Sequence, residues 1–165
     1  MDRSATLPVA AGSLQTASPA ETRAVGAALG AASAPGTLLA LVGPLGAGKT
    51  QLAKGVADGL GVTSVVNSPT FVLMNEHPGR LRLFHIDAYR LDAPEEAHAA
   101  GLLDERQLDG VTVVEWADRL AGWLPDERLE LDIGLDAGAV ADRRTIRWRA
   151  VGPHHVRLAQ RALEA

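Results

Sequence analysis

Between an apolar hexapeptide, Thr37 to Val42, and a stretch of helical composition from Lys49 to about Asp58 lies the run Gly43-Pro44-Leu45-Gly46-Ala47-Gly48-Lys49-Thr50. It fits the phosphate-loop pattern, and a strand before it with a helix after it is the context that the motif requires. A segment apolar throughout after its first residue suits a strand buried on both faces of a mainly parallel sheet, and such sheets carry helices on both sides. The expectation is therefore an α/β fold of the P-loop NTPase type, with a mostly parallel sheet. Gly46 and Gly48 let the backbone wrap a phosphate, so that loop N–H groups and the helix N-terminus face it with matching partial charge. Lys49 should reach the β and γ phosphates, and the Thr50 hydroxyl is placed to ligate Mg2+. Gly43, Leu45, Gly46, Ala47, Gly48, Lys49, Thr50 and Gln51 are the expected nucleotide-binding positions, with ATP as substrate and Mg2+ as cofactor. Adenine is favoured over guanine because no Asn-Lys pair exists in the chain to open an Asn-Lys-x-Asp guanine reader. Asp58-Gly59-Leu60-Gly61 imitates a GTPase Asp-x-x-Gly, but it lies at a helix end and reads as a C-terminal cap, with Gly59 and Gly61 as its left-handed residues.

The remaining punctuation extends the α/β pattern. Residues 1 to 12 read as a flexible tail and 13 to 165 as one domain. Ser18-Pro19-Ala20-Glu21 combines a capping box with Pro at the first helical position, so a helix should run to about Ala32 before Pro35-Gly36. Phe71 to Glu76 and Leu81 to Ile86 flank the turn signal His77-Pro78-Gly79 and predict an antiparallel hairpin inserted in the sheet. Asp92-Ala93-Pro94-Glu95 opens a helical region to about Leu108, broken at Gly101. Val111 to Val114 reads as a further buried strand, and Asp118 to Trp123 as a short helix at most. Arg128 to Leu135 and Arg144 to Val151 alternate apolar and polar residues like strands with one buried face. A last helix is expected from about Pro153 to Ala162.

Composition excludes several classes. No apolar run approaches the roughly 20 residues that span a bilayer, which points to a cytoplasmic protein with no membrane partner. The chain has 165 residues and no cysteine, so disulfides, thiol catalysis and Cys-based zinc sites are excluded. Its net charge of -4 opposes broad nucleic-acid binding, so any RNA contact should be local or through a partner.

A P-loop enzyme needs an acidic residue at the end of a neighbouring strand, to hold Mg2+ or to place the nucleophile. Glu115 follows Val111 to Val114 at the carboxyl end of a buried strand, where ligands bind in open α/β sheets, and Asp87 follows Leu81 to Ile86 in the same way. Elsewhere such residues are ordinary surface charges; beside a phosphate loop they are the expected catalytic pair. Leu81, Leu83, His85 and Asp87 share one face by the two-residue period, which brings His85 toward the site unless it is a structural histidine. Tyr89, Arg90 and Trp116 are further candidates for covering the phosphates, walling the site or docking a partner. Ser68 and Thr70, in Ser-Pro-Thr after the loop helix, have the composition of a switch. Arg143, Arg144, Arg147 and Arg149 form a basic cluster split over two faces, Arg144 lying on the side of Ile146 and Trp148.

Taken in order and spacing, Gly-x-Leu-Gly-Ala-Gly-Lys-Thr, Ser-Pro-Thr-Phe at 68 to 71, His-Ile-Asp-Ala-Tyr-Arg-Leu at 85 to 91 and Val-Glu-Trp at 114 to 116 resemble the TsaE (YjeE) family over about residues 14 to 160. Pro44 stands where that family usually has Asp, in the variable part of the loop. The resemblance implies a P-loop fold with an inserted antiparallel pair. It further implies ATP hydrolysis in a complex with TsaD and TsaB, which installs threonylcarbamoyl on the adenosine beside the anticodon of tRNA. By the same resemblance Thr50 and Glu115 would be the Mg-associated residues, Asp87 would position water or Mg2+, and Arg144 would contact the nucleotide. Two other readings compete. A small-molecule kinase would use Asp87 as base and Arg90 as clamp, although no Arg-rich lid segment is evident; a non-catalytic module would use ATP only to stabilise an interface.

Overall fold

The computed structural model describes residues 6–67, 74–89, 91, 95, 104–120, 122–136 and 142–164. Its centre is a seven-stranded sheet in the order β1-β7-β6-β2-β5-β4-β3, where β1 is Val9–Thr16, β2 Thr37–Val42, β3 Met74–His77, β4 Leu83–Asp87, β5 Val111–Glu115, β6 Leu129–Leu135 and β7 Arg144–Val151. Strand β2 pairs in parallel with β5 and with β6, and β4 pairs in parallel with β5. The antiparallel pairings lie toward the edges, β3 on β4 at one end and β7 on β6 with β1 on β7 at the other. This is the α/β, P-loop NTPase-like sheet with a parallel core and antiparallel additions, and the hairpin at 71 to 86 is realised from Met74 onward.

Among the described residues, three helices are traced from end to end over the sheet: α1 Pro19–Ala32, α2 Lys49–Gly59 and α3 Pro153–Leu163. The cap of α1 forms as the sequence demands, with Ser18 extended and its hydroxyl accepting the Glu21 N–H at 3.1 Å, while the Glu21 carboxylate accepts the Ala17 N–H. Two short 3-10 helices, Glu105–Asp109 and Ala117–Leu120, flank β5. β2 explains why the core lies on both sides. Leu39 and Leu41 pack with Leu29, Leu52, Val113 and Leu131, whereas Leu38 and Ala40 pack with Ile86, Val114 and Leu120 on the other face. β6 and β7 bury alternate residues, Leu129, Leu131 and Ile133 on one and Ile146, Trp148 and Ala150 on the other, with Arg147 and Arg149 exposed.

Several expectations change. Residues 9 to 12, assigned to the loose tail, form half of β1, because their backbone completes the hydrogen bonds of β7 from Val9↔Val151 to Thr16↔Arg144. Gly59 is the last residue of α2 rather than a left-handed cap; the positive φ belongs to Gly61, at 70°. β4, read as Leu81 to Ile86, begins at Leu83 and continues one residue further, so Asp87 is its last residue and pairs in register with Glu115. Within the predicted helical region 92 to 108, the described residues show helix only at Glu95 and in the 3-10 turn Glu105–Asp109; the break at Gly101 lies outside them.

Candidate functional site

The loop from Gly43 to Gly48 leaves β2 and enters α2 through three glycines with positive φ, 144° at Gly43, 78° at Gly46 and 111° at Gly48. At Gly43 the conformation and the space both demand glycine, since a Cβ would overlap the carbonyl oxygen of Ile133. Gly48 is the N-cap of α2, in the left-handed region and without a side-chain hydrogen bond, so the first N–H groups of the helix face the loop.

Lys49 and Thr50 follow at once. Lys49 is 5% exposed; its ammonium donates to the carbonyls of Gly43 at 2.7 Å and Pro44 at 2.8 Å and lies 4.0 Å from the centroid of the Trp116 ring. Burial lowers its pKa, opposed by the charges of Glu115, Asp118 and Asp87. The Thr50 hydroxyl donates to Glu115 Oε1 at 2.8 Å. Its hydrogen is thereby turned toward the carboxylate, and the oxygen's lone pairs face elsewhere. Glu115 itself is 2% exposed at the end of β5, and its Oε2 lies 2.5 Å from Nε2 of His85, which is fully buried.

The sheet register explains how residues distant in sequence meet. Leu41, Glu115 and Asp87 occupy one level of β2, β5 and β4, at the carboxyl ends of the strands where the loop departs. Asp87 Oδ1 accepts the Tyr89 N–H at 2.9 Å, and burial raises the pKa of its carboxyl, an effect that the Tyr89 hydrogen bond opposes. Trp116 turns the chain sharply with φ 58°, rare for a bulky residue. This turn brings its ring beside Tyr89, 4.9 Å between centroids, and over Lys49.

These groups line a cleft of about 430 Å³ formed by Leu45 to Gln51 with Asp87, Tyr89, Glu115 and Trp116. Gly43 contributes its carbonyl to Lys49, and His85 stands behind Glu115. Arg144 lies behind the loop, where Nε donates to the Ala47 carbonyl at 3.0 Å and a terminal nitrogen to that of Gly46 at 3.4 Å, so among the described contacts it braces the loop. Ser68, Thr70 and Arg90 lie outside the described residues. Sequence reading missed Asp118, whose charge acts on Lys49, and Arg119, whose guanidinium lies 5.3 Å from the Tyr89 ring. Their signal was faint, a charged pair two and three residues after Trp116 in a segment read only as a weak helix. A larger cavity, about 590 Å³, lies at the opposite strand ends near Thr37, Leu38 and His155; it is mainly apolar and holds none of the phosphate-loop chemistry.

The donor set suits a hard cation. Thr50 supplies a hydroxyl oxygen and Glu115 a carboxylate, with Asp87 beside them, and no group of three or more His, Cys, Asp or Glu is gathered for a metal among the described residues. Mg2+ is usually held this way, by one or two protein oxygens with the rest from phosphates and water.

The family model described as threonylcarbamoyl adenosine biosynthesis protein TsaE matches residues 16–146. The tRNA threonylcarbamoyladenosine biosynthesis protein TsaE of Bacillus subtilis is 42% identical over 147 residues, covering 88% of this chain and 90% of that one. Its Mycobacterium bovis counterpart is 39% identical over 137 residues, 78% of this chain and 80% of that one. Among solved structures, the crystal structure of Bacillus subtilis YdiB superposes with a TM-score of 0.74 at 36% identity, covering 93% of this chain and 94% of that one.

Proposed function

The chain belongs to the TsaE family, and from that premise we propose that it is the Mg2+-dependent ATP-hydrolysing component of tRNA threonylcarbamoyladenosine biosynthesis, acting in the cytoplasm with homologues of TsaD and TsaB. Contact with tRNA is local or through those partners. One observation carries the catalytic half of this reading: the hydrogen bond of 2.8 Å from Thr50 to Glu115, which joins the first turn of the loop helix to the end of β5. Two protein oxygens thus converge beside a lysine that is buried yet bonded only to neutral carbonyls in the described contacts.

In the proposed reaction the loop N–H groups and Lys49 hold the β and γ phosphates. Thr50 and Glu115 hold Mg2+, which when bound neutralises charge on those phosphates. Asp87, raised in pKa by burial, accepts a hydrogen bond from the attacking water and takes its proton as the oxygen bonds to the γ-phosphorus and ADP leaves. Arg144 keeps the loop shaped through the carbonyls of Gly46 and Ala47.

The test is Glu115→Gln, which keeps size and removes charge. Turnover with TsaD and TsaB homologues should fall roughly tenfold to a thousandfold while ADP affinity changes little. Turnover equal to wild type in that variant would defeat the mechanism. Modified tRNA at normal yield without turnover would instead make ATP a prop for an interface.

A further inference from the structure

We propose that His85 is a positioning residue for Glu115: its Nε2–H fixes one carboxylate oxygen so that the other stays on Thr50. The inference rests on the reading of Glu115 as the carboxylate associated with Mg2+, and it adds a residue whose role neither the family match nor the relatives' names state.

The two ring nitrogens of His85 are unequally partnered. His85 is fully buried in β4, Nε2 faces Glu115 Oε2 at 2.5 Å, and Nδ1 has no hydrogen-bond partner among the described residues. A carboxylate oxygen only accepts, so Nε2 carries a hydrogen. Burying a polar atom without a partner costs about 1–3 kcal/mol, and a leucine at this position would avoid that cost. The polarity of residue 85 is therefore directed at Glu115, the one group its ring bonds in the described structure. Strand register makes the contact possible: His85 and Asp87 lie on one face of β4, and Asp87 is paired with Glu115 on β5. Glu115 is then gripped on both sides, by Thr50 at Oε1 and His85 at Oε2. A carboxylate held twice cannot rotate an oxygen away from the threonine, and partners of this kind typically change metal affinity or activity by about 10–100-fold when removed.

Side-chain geometry supplies the test. The amide nitrogen of glutamine overlays Nε2 of histidine, and that of asparagine overlays Nδ1, so His85→Gln should restore the bond that His85→Asn and His85→Leu lack. By calorimetry, Mg2+ should strengthen ADP binding in the wild type and in His85→Gln. That increment should shrink by about tenfold or more in His85→Leu and His85→Asn, while ADP affinity without Mg2+ stays within about twofold. Turnover with the partners should follow the same order, with the loss in kcat rather than KM. In the wild-type protein at mildly alkaline pH, imidazole nitrogen NMR should show the hydrogen on Nε2, in a resonance that moves on Glu115→Ala. The proposal is overturned by an Nε2 that carries no hydrogen, by His85→Gln losing as much as His85→Asn, or by His85→Leu keeping the Mg2+ increment. Should His85→Leu fail to fold, the Gln and Asn pair decides alone. If wild-type turnover with partners is absent, the ATPase reading fails, while the tautomer and the Mg2+ increment still judge His85.

Discussion

Lys49 is held under electrostatic tension. Its ammonium is desolvated, which lowers its pKa, and its hydrogen bonds go to two peptide carbonyls of its own loop. Charge-assisted hydrogen bonds to an anion are roughly twice as strong as neutral ones, so a phosphate should draw Lys49 from Gly43 and Pro44 and off the Trp116 ring. Lys49→Ala should weaken ATP binding by about a hundredfold or more, since a charge-assisted pair in a partly dry site is lost. Near wild-type affinity by calorimetry would remove the phosphate-loop assignment. Thr50→Ala tests the adjacent atom: nucleotide binding should persist in part, and its Mg2+ dependence should disappear in a titration. An unchanged titration would show that the hydroxyl bonded to Glu115 is not a metal ligand.

At the level of elements, the helix that carries Lys49 is seated on α1 through glycine. A Cβ on Gly26 or Gly30 of α1 would overlap the backbone oxygen of Leu52 or Val56, and one on Gly55 or Gly59 of α2 would overlap that of Arg23 or Ala27. The two helices meet backbone to backbone, and the seam sets where the first turn of α2 stands against the loop. Gly55→Ala should cost about 1–3 kcal/mol by forcing the helices apart. It should also weaken nucleotide binding, because Lys49 and Thr50 move with α2. Gly61→Ala is the contrasting case, with open space but a φ of 70°, and should cost only about 1 kcal/mol with binding unchanged. Denaturant titration of both variants separates packing from backbone strain, and a Gly55→Ala protein as stable as wild type would contradict the seam.

For the whole molecule, the acid limit of stability should be set partly by histidines held neutral. His155 of α3 accepts the Leu38 N–H through Nε2 at 3.0 Å, tying the last helix to β2, and burial pushes its pKa down to about 4. Burial likewise lowers His154 and His77. Between the ordinary value of 6.5 and about 4 the unfolded chain binds a proton at His155 that the folded chain refuses, so stability rises with pH across this window and is lost on acidification. The full effect from His155 is about 3 kcal/mol at pH 4. Thermal melts from pH 7 to 4.5 should show a steeper decline for wild type than for His155→Gln, whose amide does not titrate. Equal slopes would mean that His155 is not held neutral by the fold.

The sequence by itself determined what short range can encode. Ser18 to Glu21 wrote its own cap; Thr37 to Val42 announced a strand buried on both faces; and Gly43 to Thr50 needed only neighbouring residues to form the loop, because backbone conformation and strand-to-helix context are local properties. The candidate carboxylates were legible as strand ends for the same reason. What the sequence did not contain was distance. Whether Glu115 or Asp87 touches Thr50 depends on the lateral order β2-β5-β4 and on the register that levels Leu41, Glu115 and Asp87. Lateral order is fixed by which faces bury most surface together, a sum over the whole core. The strand status of Val9 to Gly12 was hidden likewise, since their mixed and, apart from Ala10, exposed side chains give no clear periodicity, and the backbone of β7 pairs them. Glycines spoke ambiguously: the same absent side chain serves a loop at Gly48, a cap at Gly61 and a helix seam at Gly55, and only the assembled neighbours distinguish them.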